Sequence, residues 1–182
     1  PRAPRAVLDI SRAEDLKGIA LTGEGLRIGA LVTHTEILRS PLIRDFAPAL
    51  ADAARTIGAV QTRNSGTLGG NLVSGVPSMD SGPALFALEA LATLIGGAGR
   101  RQVPLAEFFL GPRKTVLGMG ELLAEIVIPR SNLGKPAAFR KFGLRKGQAL
   151  ALVNVAASSW IDRERHVYIA PRIALGAVAP AV

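Results

Sequence analysis

The chain has no cysteine. That excludes disulfides, thiolate zinc sites and cysteine-ligated iron–sulfur clusters within this polypeptide. Aromatic residues make up only 4% of it, so stacking platforms for single-stranded nucleic acid are scarce. No apolar run reaches the length of a membrane span, and the N-terminal residues lack signal-peptide architecture. The expected location is the cytoplasm. His34 and His166 lie far apart, without companions at metal-ligand spacing, and a structural or surface role is expected for each. No Ser/His/Asp arrangement has support. No strand is followed by GxGxxG, which leaves a Rossmann reading without its fingerprint. If the protein is an enzyme, a bound cofactor must carry the chemistry.

What is present is a chain of 182 residues, enough for one large domain or two small ones. A chain of this size buries roughly 70% of its unfolded surface and needs no covalent staples. The net charge is +8, with dibasic pairs at Arg100-Arg101, Arg113-Lys114, Arg140-Lys141 and Arg145-Lys146. Such a balance suits an anionic partner, whether nucleic acid, an acidic protein surface or a phosphorylated cofactor. A solvated basic face is the plainer alternative. The first residue is Pro1, and the last strand-like segment runs to the last residue. A piece of a longer polypeptide is therefore expected.

Hydrophobic patterning predicts short strands at VLDI and LRIGAL. Thr33 and Glu36 form a capping-box pattern that opens a short helix, ended by Pro41. Ile43, Phe46, Leu50, Ala54 and Ile57 recur at helical spacing up to Gly58, with Pro48 kinking that helix or delaying its start. VQTR reads as a short strand. Pro83 opens another helix. ATLIG and RQVPL read as strands about a GGAG turn, LAEFF as a helical turn, and ELLAEIVIP as a strand. RSNLGKP, residues 130–136, gathers turn formers and marks a boundary between a part at 1–130 and a part at 136–182. Three antiparallel strands follow, with a hairpin turn at Asp162 to Arg165. Without regular βαβ alternation, the fold class is α+β.

The stretch QTRNSGTLGGNLVSG, residues 61–75, combines glycines with packing residues. Gly66, Gly69 and Gly70 could form a nest of backbone amides around an anion, with Thr67 and Asn71 as further donors and Arg63 adding charge. A diphosphate is the natural guest. The alternative is that the glycines only permit tight turns and close packing. Asp80 can accept from sugar or ribityl hydroxyls, or cap the helix opened by Pro83. In FFLGPRKT, residues 108–115, the two phenylalanines can pack into the core.

Taken together, IGAVQTRNSGTLGGNLVSGVPSMD, FFLGPRKT, GELLAEIVIP, FRKFGLRKG and RIALGAVAP resemble, in order and spacing, the FAD-binding domain of the molybdenum hydroxylases. DISRAEDLKGI and LRIGALVTHTEI extend the resemblance over nearly the whole chain. It implies a PCMH-type FAD-binding region followed by a smaller antiparallel C-terminal subdomain. Thr67, Gly69, Gly70 and Asn71 would lie along the cofactor, and Asp80 would meet its hydroxyl-bearing part. Leu123 would line the FAD pocket, Lys141 would stand near the cofactor, and Ile57 takes a place often filled by a bulky apolar residue. The family's other glycine-rich loop would precede DISRAEDL, before the first residue of this chain. Pro112 departs from the aromatic residue that many relatives carry there. The implied activity is that of an oxidoreductase component passing electrons from iron–sulfur clusters through FAD to NAD+ or another acceptor. Molybdopterin and 2Fe-2S clusters would belong to partner subunits or domains of a hetero-oligomer. The alternatives are a non-catalytic basic module that binds nucleic acid, and an assembly domain of the same fold without FAD.

Overall fold

The structure is a computed structural model that describes residues 6–179. Its first sheet has five antiparallel strands in the order β1-β2-β7-β3-β4. They are β1 (Ile19–Leu21), β2 (Gly25–Gly29), β3 (Leu91–Gly96), β4 (Gly99–Pro104) and β7 (Leu122–Pro129). Alternation decides which side each residue faces. Leu26, Ile28, Ala92, Ile126 and Ile128 face the helices and are fully buried. Arg27, Thr93, Gln102 and Glu125 share the opposite face. Central strand β7 is buried along nearly its whole length, which its run of branched apolar residues predicts.

The helices lie between β2 and β3 in sequence: α1 (His34–Arg39), α2 (Pro41–Phe46), α3 (Pro48–Thr56), α4 (Val60–Ser65), α5 (Leu68–Val73) and α6 (Ser81–Ala87). The predicted capping box is formed, with Glu36 N donating to Thr33 Oγ1 and Thr33 N to Glu36 Oε2 at 2.7 Å. The single long helix expected across Ile43 to Ile57 is two helices. Ala47 breaks it, and Pro41 and Pro48 each occupy a first helical turn. α7 (Leu105–Phe108) then leads into the small hairpin of β5 (Phe109–Gly111) and β6 (Lys114–Thr115), with Phe108 fully buried.

Two expectations fail. VLDI, residues 7–10, has no regular structure, and Val7 and Leu8 are exposed. VQTR lies in helix α4, not a strand. That helix buries none of its residues and is tied down by Arg63, whose Nη1 donates to Ile57 O at 2.9 Å.

The second sheet follows a 3-10 turn at Arg130–Asn132 and has the order β10-β9-β8. β8 is Ala137–Phe142, β9 is Val153–Asp162 and β10 is Val167–Gly176, with the turn between β9 and β10 at the expected place. β10 bulges between Ile169 and Arg172, where Ala170 has φ +47° and Pro171 cannot donate to the ladder. Phe139, Lys141, Asn154, Ala156 and Ser158 share the face that packs on α3 and α6. Mixed helices with wholly antiparallel sheets make this an α+β fold, as expected.

Candidate functional site

The site is built where β8 and β9 meet the ends of α3 and α6. Lys141 and Asn154 are direct partners across the β8–β9 ladder. Both therefore project from one face, toward the residue that precedes α6, which is Asp80. Asp80 makes no cap to that helix. Its carboxylate is turned inward and is 4% exposed. A buried charge needs compensation, and three groups supply it. Lys141 Nζ donates to Oδ2 at 2.5 Å, Asn154 Nδ2 donates to Oδ1 at 2.9 Å, and Thr56 Oγ1 stands 3.1 Å from Oδ2. The Thr56 hydroxyl also lies 2.8 Å from Ala53 O, so its single proton serves one acceptor at a time. Asn154 Nδ2 further donates to Met79 O at 3.1 Å. The end of strand β10 closes on this amide, because a Cβ at Gly176 would lie 2.1 Å from Asn154 Oδ1.

Beside this network is a cleft of about 180 Å³ lined in part by Ile57, Asn71, Ser74, Ser78, Asp80 and Lys141. Four of the eight residues singled out from sequence thus converge: Ile57, Asn71, Asp80 and Lys141. Asn71 Oδ1 accepts from Ser81 Oγ, which ties α5 to the start of α6.

Gly69 and Gly70 lie on the adjoining helix α5 and Thr67 caps its start; none of the three is in the cleft lining. The glycine stretch is not a left-handed nest. Gly69 and Gly70 belong to right-handed helix α5, and Gly66 has φ −71°. The first amides of α5 are already used: Leu68 N donates to Val32 O and Gly69 N to Ala30 O, both at 2.8 Å, and Gly70 N to Thr67 Oγ1 at 3.0 Å. Close packing is what Gly69 provides, since a Cβ there would stand 2.7 Å from Ala30 Cβ. The left-handed glycine of this stretch is Gly75, with φ +58°. It receives the tip of the β5–β6 hairpin, where Arg113 N donates to Gly75 O at 2.7 Å. FFLGPRKT is thereby docked on the end of the glycine-rich stretch. Leu123 is a core residue of β7, 5% exposed and outside the cleft.

His34 is buried against Gly66, and its Nδ1 has no partner among the described residues. Burial pushes its pKa down to about 4, which nearby Asp80 opposes and Arg63 assists. Lys135 is fully buried, and its Nζ also lacks a partner among the described residues. Sequence reasoning missed Thr56 and Asn154. The only signal for Asn154 was a lone amide at an inward position of an apolar strand.

The family described as "FAD binding domain in molybdopterin dehydrogenase" matches residues 1–131. Among curated proteins, the carbon monoxide dehydrogenase medium chain of Hydrogenophaga pseudoflava is 36% identical over 97% of this chain and 61% of its own length. The xanthine dehydrogenase FAD-binding subunit of Escherichia coli O157:H7 is 31% identical over 97% of this chain and 60% of its own. Among solved structures, carbon monoxide dehydrogenase from Hydrogenophaga pseudoflava, in a form that lacks the Mo-pyranopterin moiety of its cofactor, superposes with a TM-score of 0.86. That match has 34% identity and covers 92% of this chain and 57% of that one. The chain thus spans about three-fifths of the length of these two curated relatives. It belongs to the family of FAD-binding domains of the molybdopterin dehydrogenases.

Proposed function

We propose that this chain holds FAD within a molybdenum hydroxylase and serves as the flavoprotein component of an oxidoreductase. The observation that carries this is the convergence of Ile57, Asn71, Asp80 and Lys141 on one cleft, in a chain whose family is defined by FAD binding. The donor set fits the hydroxyl-bearing part of a dinucleotide. Ser74, Ser78 and Asn71 offer neutral polar groups. A carboxylate has about four lone-pair positions; Lys141 and Asn154 fill two of those of Asp80 and Thr56 shares its one proton between a third and Ala53 O, so at least one is left for a ligand hydroxyl. The cleft is smaller than the roughly 300–1,000 Å³ of a pocket that encloses a whole ligand. These residues would meet one part of FAD, and Thr67, Gly69, Gly70 and Leu123, which lie outside this cleft, are the candidates for contact with the rest of it.

Bound FAD would supply the redox chemistry, accepting and releasing electrons. The chain's own residues bind and orient it. On this reading electrons arrive from iron–sulfur clusters in a partner subunit or domain, which the absence of cysteine here requires, and leave to NAD+ or another acceptor. Residues 1–130 would form the FAD-binding part, and 136–182 a portion of a second subdomain.

The nucleic-acid alternative is not favoured. Arg27, Arg100, Arg101, Lys141 and Arg172 are each paired with a carboxylate. No helix of the described residues is long and apolar enough to cross a membrane. The test is the visible spectrum of the purified full chain, with its flavin released and identified. A flavin spectrum yielding FAD is expected. A full chain that carries no flavin after incubation with excess FAD and removal of the unbound cofactor overturns the reading.

A further inference from the structure

An ammonium group has three protons and no lone pair, and at Lys141 the fold uses all three. Nζ donates to Asp80 Oδ2 at 2.5 Å, to Ala149 O at 2.8 Å and to Thr56 O at 3.2 Å. The side chain is 8% exposed, so no water shell competes for those protons. The three acceptors come from separate segments: the end of α3, the residue ahead of α6, and the loop of residues 143–152.

That loop has few other anchors. Gln148 N donates to Gly58 O at 3.3 Å, Leu152 N donates to Phe142 O at 2.9 Å, and Arg145 only folds back on Gln148 O. Leu144 and Leu150 are 86% and 76% exposed. Yet Ala149 and Leu150 line the cleft. The tip of the loop is thus held beside the cleft by two contacts, the longer Gln148 N–Gly58 O bond and the short hold of Lys141 on Ala149 O, ahead of the buried Ala151.

We propose that Lys141 acts as a positioning residue of the cleft it lines. It pins the 143–150 segment through the Ala149 carbonyl, and it fixes the Asp80 carboxylate so that a free lone pair of Asp80 faces the ligand. This rests on the reading that FAD occupies the cleft, but the pinning itself does not need FAD to be observed.

The experiment compares the full chain with its Lys141→Met variant, first without FAD. Amide hydrogen exchange at Gln148, whose N–H donates to Gly58 O inside this segment, is expected to rise about 10- to 100-fold, the effect of losing one charge-assisted hydrogen bond beside it. Exchange in β7 should rise much less. Because Lys141→Met strands a buried carboxylate, the double variant Lys141→Met/Asp80→Asn removes both charges and is expected to show the same loop release in a better-folded protein. With FAD bound, Lys141→Met should weaken affinity and leave the flavin midpoint potential unchanged. Unaltered loop exchange in both variants overturns the proposal. So does a displaced potential with the loop still protected, which is the signature of an ammonium that touches the flavin. If the parent protein binds no FAD, the functional reading fails, while the exchange result still decides the pinning.

Discussion

Glu125 and Asp80 are equally buried, each 4% exposed, and they are held in opposite ways. Glu125 lies on the outer face of the five-stranded sheet, between Arg27 of β2 and Arg100 of β4. Both arginines keep their stems over the sheet and part of their guanidinium surface in water, 25% and 57% exposed. Asp80 is held from inside, by a lysine and an amide that are buried themselves. The outer cluster is tolerant, because water replaces whatever is removed. The inner one has no such reserve. A carboxylate that fastens strands together can be wet. One that must present a lone pair to a ligand needs partners that do not wander.

The sharpest way to break this comparison is Lys141→Ala. It leaves the buried Asp80 charge without its cation, and a loss of about 3–5 kcal/mol in urea unfolding is expected. A loss below about 1 kcal/mol would put Asp80 in the same class as Glu125. Next comes pH. Burial holds His34 near pKa 4 when folded, against an ordinary value of 6.5. The unfolded chain therefore binds the extra proton first. Stability should fall as pH drops from about 6.5 to about 4 and level off below, by up to about 3 kcal/mol in all. His34→Gln should flatten that window.

At the exposed turn after β6, Arg101 and the Gly118 amide hold Glu121 down to about 2. Its contribution is intact above its ordinary value and is lost only as pH falls toward 2, a window that His34→Gln leaves untouched. Gly69→Ala should cost about 1–3 kcal/mol in thermal unfolding, because the added methyl meets Ala30 at 2.7 Å. The smallest effect is Arg100→Ala. With Arg27 still paired to Glu125, a loss of no more than about 1 kcal/mol is expected in the same urea measurement.

These contrasts were only partly legible in the sequence. The strands β3, β7, β8, β9 and β10 could be read because alternation and turn residues agree. Helix α1 could be read because its capping box is local. Helix α4 could not. Its residues bury nothing, so no apolar period announces it, and the β-branched Val60 and Thr62 favour a strand. The glycines of α5 carried a signal whose meaning was open between anion nest and close packing. Only the neighbouring chain at Ala30 decides it. For the site, Asp80 and Lys141 could be named by resemblance. Their mutual engagement depends on strand parity, which places Lys141 opposite Asn154 and both on the inner face. Asn154 carried no motif and entered through that register alone.

The saturated ammonium of Lys141 also has a consequence for chemical labelling. Lys114 and Lys146 stand in solvent, open to an acylating reagent. Lys141 and Lys135 should both stay unmodified until the chain unfolds, for opposite reasons: Lys141 has committed every proton, and Lys135 is walled in with none committed among the described residues. Lysine reactivity, followed residue by residue during gentle denaturation, would time the opening of two separate parts of the molecule with one reagent.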